Sequence, residues 1–170
     1  KAIAGDMFSA SHNLPPDNGK KVYDEFGGQL IPPHDQALVD EVTGNVEAIR
    51  HLPFDEARRR GLVVILGEEI DRTYEDAACG VSLSGERGLK IFYSPLHGTG
   101  ITTVYPVLKR LGFDVTLCPA TSNLSGAFEK VTFNIPNPEV VESFSASLPL
   151  AQQAGADLLI STDPDADRIG

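Results

Sequence analysis

The chain of 170 residues has no tryptophan, only two cysteines, and no apolar run approaching the roughly 20 residues that a membrane-spanning helix needs. Cys79 and Cys118 lie far apart, each in an apolar setting, which argues against a disulfide framework and for reduced, buried thiols. Positive charge is also scarce. Fourteen Lys and Arg against 24 Asp and Glu leave a formal net charge of -10, which argues against nonspecific binding to nucleic acid or to an anionic membrane but leaves room for a local anion site. No signal-peptide pattern occurs at Lys1, so a soluble cytoplasmic protein is the expectation.

What is present is ordinary globular material, 41% hydrophobic and 22% charged, long enough for one domain and part of another. The chain begins without Met and stops at Gly170, just after a strand pattern and within the loop that carries "DPDADR", so a piece of a longer polypeptide is expected. The opening residues read as a strand, "KAIAGDMFSA", a turn-rich "LPPDNG", and a hairpin in "KKVYDEFGGQLI" around Gly27 and Gly28. Apolar residues at 38, 39, 42, 46 and 49 recur with helical spacing and predict a helix from Asp35. Between 54 and 87 the pattern blurs. "LVVILG" reads as a short strand or an extended crossing, and "DRTYEDAACGVSL" as a helix from near Thr73. Beyond Gly88 the order sharpens to strand "LKIFYS", helix "TTVYPVLKRLG", strand "DVTLCPA", a loop with "NIPNPEV", helical "VVESFSASLPLAQQAG" and strand "ADLLIST". That alternation implies a parallel sheet with helices on both faces. "SPLHGTG" and "DPDADR" follow two of its strands and should share the ligand-binding edge.

The chemistry-bearing residues sit in those loops. "DPDADR" carries Asp163, Asp165 and Asp167 at alternate positions, which an extended or looped backbone turns to one side. Three crowded carboxylates suit a hard divalent ion such as Mg²⁺, with coordination positions left for a phosphate oxygen. The other reading is a solvated acidic turn. An EF-hand loop is disfavoured because its sixth position requires Gly and here is Arg168. "HGTG" offers glycines and a helix start that suit an anion, or simply a tight strand-to-helix turn in which His97 bonds within the loop. Ser11 lacks a Gly-x-Ser-x-Gly elbow, so it is no hydrolase nucleophile of that type. Phosphorylated, it would gain about -1.5 to -2 charge and need a cation nearby.

Taken in order, "SASHN", "DNGKKVY", "IPPHD", "YSPLHGTG", "PNPE" and "DPDADR" resemble the α-D-phosphohexomutase family of phosphoglucomutases and phosphomannomutases, over essentially the whole chain. The resemblance implies an α/β fold of three-layer α/β/α units with a mainly parallel mixed sheet, truncated here. Residues 1–52 would be the end of the first domain with the phosphoserine loop, 53–88 a connection, and 89–170 most of the second domain, ending in the metal loop.

By the same resemblance Ser11 is the phosphoserine, and Ser11, Asp163, Asp165 and Asp167 hold one Mg²⁺. His12, Lys21 and Arg168 match residues that assist catalysis. The implied isomerase interconverts 1-phospho and 6-phospho sugars, glucose or mannose phosphates, through a sugar 1,6-bisphosphate that also serves as activator. The chain departs from the pattern at Leu14, where proline is usual, with Pro15 and Pro16 following. It also lacks counterparts of the family's later sugar and phosphate loops, so turnover by this chain alone is not expected. A noncatalytic sugar-phosphate or metal-binding module is the alternative, and it leaves a phosphorylatable serine without a purpose.

Overall fold

The computed structural model describes residues 2–83 and 85–170. They form two compact units, one of residues 2–8 with 20–68, the other of 9–19 with 69–83 and 85–170. Among the described residues no helix is long and apolar enough to cross a membrane.

In the first unit, β1 (Gly5–Phe8) pairs antiparallel with β2 (Lys20–Tyr23), Met7 opposite Lys21 and Asp6 opposite Val22. The expected hairpin after β2 is reduced to a single bridge, Tyr23 to Gln29. Asp24 shapes the tight return: its Oδ1 accepts the N–H of Phe26 at 2.8 Å and of Gly28 at 3.0 Å, while the Asp24 N–H donates to the Gly28 carbonyl at 2.9 Å and the Leu30 N–H to the Val22 carbonyl at 2.8 Å. Helix α1 (His34–Asn45) begins one residue before the expected start, and α2 (Phe54–Arg59) follows Pro53 with Asp55 and Glu56 in its first turn, where the helix dipole favours acids. "LVVILG" forms no strand, and Leu62, Val64, Ile65 and Leu66 stand largely exposed.

The second unit carries the sheet. Helix α3 (Glu68–Gly80) starts at Glu68, earlier than Thr73, because Glu68, Glu69 and Asp71 are good first-turn residues. Three parallel strands follow, β3 (Lys90–Ser94), β4 (Asp114–Leu117) and β5 (Leu158–Ser161), in the order β4-β3-β5. Helix α4 (Val104–Arg110) links β3 to β4, preceded by a 3-10 turn at Thr99–Ile101 and ended by Gly112 at φ 84°, a conformation glycine adopts without strain. The long helical stretch expected before β5 is split into a 3-10 turn, Val141–Phe144, and α5 (Leu148–Gln153). Pro149 sets the break, since a residue without an N–H is tolerated only in a helix's first turn.

The alternation of β3 builds two cores. Ile91 and Tyr93 face one way, packing with Val115 against Val104, Tyr105 and Leu108. Phe92 faces the other way, against Cys118 and Ala151, with Leu150 and Leu159 around them. The sheet is therefore covered on both sides by apolar helix faces, as the sequence alternation requires. Phe92 is 2% exposed, so Phe92→Ala should lower the unfolding free energy in urea by about 3–5 kcal/mol; a loss below about 1 kcal/mol would mean that this face is not packed as described.

Candidate functional site

The carboxyl ends of β3 and β5 are finished by buried hydroxyls rather than apolar groups. Ser94 Oγ lies 2.9 Å from Thr121 Oγ1, Ser161 Oγ donates to the Ser94 carbonyl at 3.0 Å, and Tyr93 Oη lies 2.7 Å from Thr162 Oγ1. Burial pushes the Tyr93 phenol up to about 12, so it stays neutral. A hydroxyl network of this kind satisfies the polar groups where the strands stop and fixes the first residues of the loops.

After β5 the chain makes the acidic loop and returns on itself. Ser161 and Gly170 exchange two backbone hydrogen bonds at 2.9 Å, and Thr162 bridges to Ile169. Within this closed loop Ala166 is left-handed, φ 61°, and the N–H of Arg168 donates to Asp163 Oδ1 at 3.0 Å. Carboxylate oxygens of Asp163, Asp165 and Asp167 lie within 4.8 Å of one another. Asp163 is fully buried, Asp165 half-buried and Asp167 exposed.

The serine loop belongs to the same unit. Its ends are held by Ser9 N–H donating to the Gly19 carbonyl at 3.1 Å. Ser11 adopts φ 52°, a left-handed conformation uncommon for a residue with a side chain. Its hydroxyl donates to Asp163 Oδ2 at 2.7 Å and lies 3.2 Å from Asp165 Oδ1, with His12 Nδ1 at 3.1 Å. One hydroxyl has one proton, so it cannot satisfy both carboxylates. Ser9, which the sequence reading passed over, completes the junction: its Oγ accepts the Ser11 N–H at 2.9 Å and donates to Asp165 Oδ2 at 2.8 Å. The available signal was the Ser-x-Ser spacing, since alternate residues of an extended segment share a side.

Of the residues singled out from the sequence, Ser11 meets Asp163, Asp165 and His12, Asp167 completes the carboxylate cluster, and Arg168 joins through its backbone. The Arg168 guanidinium instead meets Glu139 of "PNPE" at 3.4 Å. Lys21 lies in β2 of the first unit, opposite Met7. His97 is buried and holds its own neighbourhood: Nδ1 donates to the Asn123 carbonyl at 3.0 Å and Nε2 accepts the Lys130 N–H at 3.3 Å, a tautomer assigned from those partners.

Asp163 is the electrostatic problem of the site. Burial holds its carboxyl above the usual carboxylate range, and the facing Asp165 adds to this, while the Ser11 hydroxyl and the Arg168 N–H pull the other way. A buried carboxylate beside a second one, with oxygens of three carboxylates converging within 4.8 Å, fits a hard divalent cation.

An acidic loop and a hydroxyl brought together at the carboxyl edge of a parallel sheet make the second unit an α/β protein with its ligand edge where such sheets carry one. A solved phosphoglucomutase/phosphomannomutase family protein from Burkholderia thailandensis superposes on 98% of the chain with TM-score 0.71 and 19% identity, covering 32% of that structure. Residues 70–170 match α/β/α domain II of phosphoglucomutase/phosphomannomutase, and residues 1–48 match α/β/α domain I. The chain belongs to the phosphoglucomutase/phosphomannomutase family. It is 34% identical to a phosphoribomutase of Saccharomyces cerevisiae over 99% of its residues and 33% identical to a phosphoglucomutase of Staphylococcus saprophyticus over 98%. Both are longer; the chain spans about 30% of the first and 31% of the second.

In metal-free buffer the raised Asp163 pKa weakens the folded state wherever the unfolded chain would ionise freely. That cost is complete above the folded pKa and vanishes as pH falls below the unfolded value near about 3.9. Asp163→Asn should therefore raise the melting temperature in EDTA at pH 7, with the difference closing at acid pH. A lower melting temperature for the variant at pH 7 would contradict this.

Proposed function

We propose that this chain is part of a phosphohexomutase, an intramolecular phosphotransferase that interconverts 1-phospho and 6-phospho sugars through a phosphoserine at Ser11. The observation that carries the reading is the contact of Ser11 Oγ with Asp163 and Asp165, from positions 152 and 154 residues away. Relatives named phosphoglucomutase and phosphoribomutase support the reaction class.

In the proposed cycle the Oγ–P bond of phosphoserine 11 breaks as a bond forms between that phosphorus and a free sugar hydroxyl. The hydroxyl proton ends on Ser11 Oγ, and the product is a bisphosphorylated sugar. Reversal with the other phosphate regenerates the phosphoserine. His12 Nδ1, 3.1 Å from Oγ, is positioned to donate to the oxygen as the phosphoryl group departs. Lys21 is assigned to balance charge on the phosphoryl group or to move the hydroxyl proton, and Arg168 closes the acidic loop.

Asp163, Asp165 and Asp167, with an oxygen on Ser11, would hold one Mg²⁺. Bound there, Mg²⁺ supplies a Lewis acid that offsets charge on the phosphoryl oxygens. The substrate class is hexose phosphate, glucose or mannose, with the sugar 1,6-bisphosphate as activator and intermediate. Substrate recognition is assigned to parts of the polypeptide outside these residues, so the isolated chain is proposed to be inactive.

The test uses the full-length polypeptide, incubated with glucose 1,6-bisphosphate and Mg²⁺ and mapped by peptide mass spectrometry. Phosphate is expected on the Ser11 peptide, and Ser11→Ala should reduce mutase turnover more than about a thousandfold. Asp165→Ala should reduce it about a hundredfold or more. Full turnover by Ser11→Ala would sink the mechanism, and unchanged turnover by Asp165→Ala would sink the three-aspartate site.

A further inference from the structure

The "HGTG" segment is left unused by the reading above, and its geometry argues against the anion cradle that its glycines suggest. Thr99 is the residue whose amide would face an anion at the start of the 3-10 turn. Its N–H instead donates to the Pro164 carbonyl at 2.8 Å, and its Oγ1 donates to the same carbonyl at 3.0 Å. One carbonyl takes both donors of one residue, and that carbonyl lies in the peptide unit joining Pro164 to Asp165.

The glycines on either side of Thr99 are required by the same approach. A Cβ on Gly98 would stand 2.2 Å from Pro164 Cα and 2.5 Å from its oxygen. Gly98 has φ -99°, which any residue adopts, so contact with Pro164 and not backbone conformation demands glycine here. A Cβ on Gly100 would stand 1.9 Å from Tyr93 Oη and 2.9 Å from Thr162 Oγ1. Thr162 and Pro164 are the two neighbours of Asp163. Thr162 is held by Tyr93 of β3, and Pro164 by Thr99 of the loop that follows it.

The loop that does the holding is itself stiff. Leu96 and His97 are both left-handed, φ 45° and 66°, and Gly98 N–H returns to the Pro95 carbonyl at 2.8 Å. His97 ties it to residues 121–130 through four hydrogen bonds, two from its ring and two from its backbone.

From these contacts we infer that Gly98, Thr99 and Gly100 form a positioning seat for the acidic loop, setting the separation of the Asp163 and Asp165 carboxylates in advance of cation binding. The inference rests on the magnesium reading of that loop. Outer-shell contacts that orient metal ligands commonly govern affinity by about ten- to a hundredfold, because a preset ligand cluster spends less of its binding energy on ordering.

The test is Mg²⁺ titration of this chain by calorimetry, paired with melting in EDTA. Gly98→Ala should weaken Mg²⁺ binding by about tenfold or more, while Gly126→Ala, a loop glycine with open space around its Cβ position, should bind as the parent chain does. Thr99→Val should weaken binding about threefold or more, and Thr99→Ser, which keeps the donor, should restore it. The Thr99 pair decides the matter if Gly98→Ala fails to fold. Parent-like affinity in Thr99→Val, or equal loss in Thr99→Ser and Thr99→Val, overturns the positioning role while the metal site stands. If the parent chain itself shows no Mg²⁺ binding, the magnesium reading falls and the seat's role in cation binding falls with it.

Discussion

The buried Asp163 carboxylate organises the second unit's functional edge. A charge taken out of water must be compensated, and here the compensation comes from two directions: the Arg168 N–H from within its own loop and the Ser11 hydroxyl from a loop at the other end of the chain. Each donor fixes one carboxylate oxygen, so the orientation of Asp163 is set by partners that cannot move independently. The compensation is incomplete, because Asp165 faces the same hydroxyl and raises the Asp163 pKa further. A pair of acids held this close suits a cation, and the serine held between them is the one proposed above to carry a phosphoryl group.

The sheet makes that arrangement affordable in conformational terms. β3 and β5 are parallel neighbours, so the loops leaving their carboxyl ends emerge side by side. Buried hydroxyls at the strand ends and glycines without side chains let the two loops touch backbone to backbone. Left-handed backbone recurs there and elsewhere: Leu96, His97 and Ala166 lie in those two loops, Ser11 lies in the serine loop, and Phe128, Phe133 and Asn134 lie in the segment between β4 and β5. Strain of this kind persists only where surrounding contacts over-determine it, and each of these residues lies in or beside a segment tied by several hydrogen bonds.

Much of this was legible in the chain. The strand–helix–strand order after Gly88 foretold a parallel sheet covered on both faces, and Ile91 and Tyr93 on one side with Phe92 on the other pack as that order requires. The alternate spacing of Asp163, Asp165 and Asp167 foretold converging carboxylates. Other features were hidden for identifiable reasons. "LVVILG" has strand composition, but a strand needs a partner, and apolar content alone does not supply one. The helical pattern before β5 ignored where Pro149 allows a helix to begin. Ser9 looked like any loop serine because its value lies in partners at Ser11 and Asp165, the latter 156 residues distant.

The sequence by itself determined which residue types are available: a phosphorylatable serine without a hydrolase elbow, three acids on alternate positions, and glycines after a buried strand. Periodicity and spacing are local properties, so they survive reading along a line. Only the tertiary structure decided that the serine and the acids meet, that Ser9 joins them, and that the glycines of "HGTG" serve the approach of Pro164. Those outcomes depend on which strands lie side by side and on distances between residues far apart in the chain, and burial, which shifts the Asp163 pKa, exists only once those distances are set.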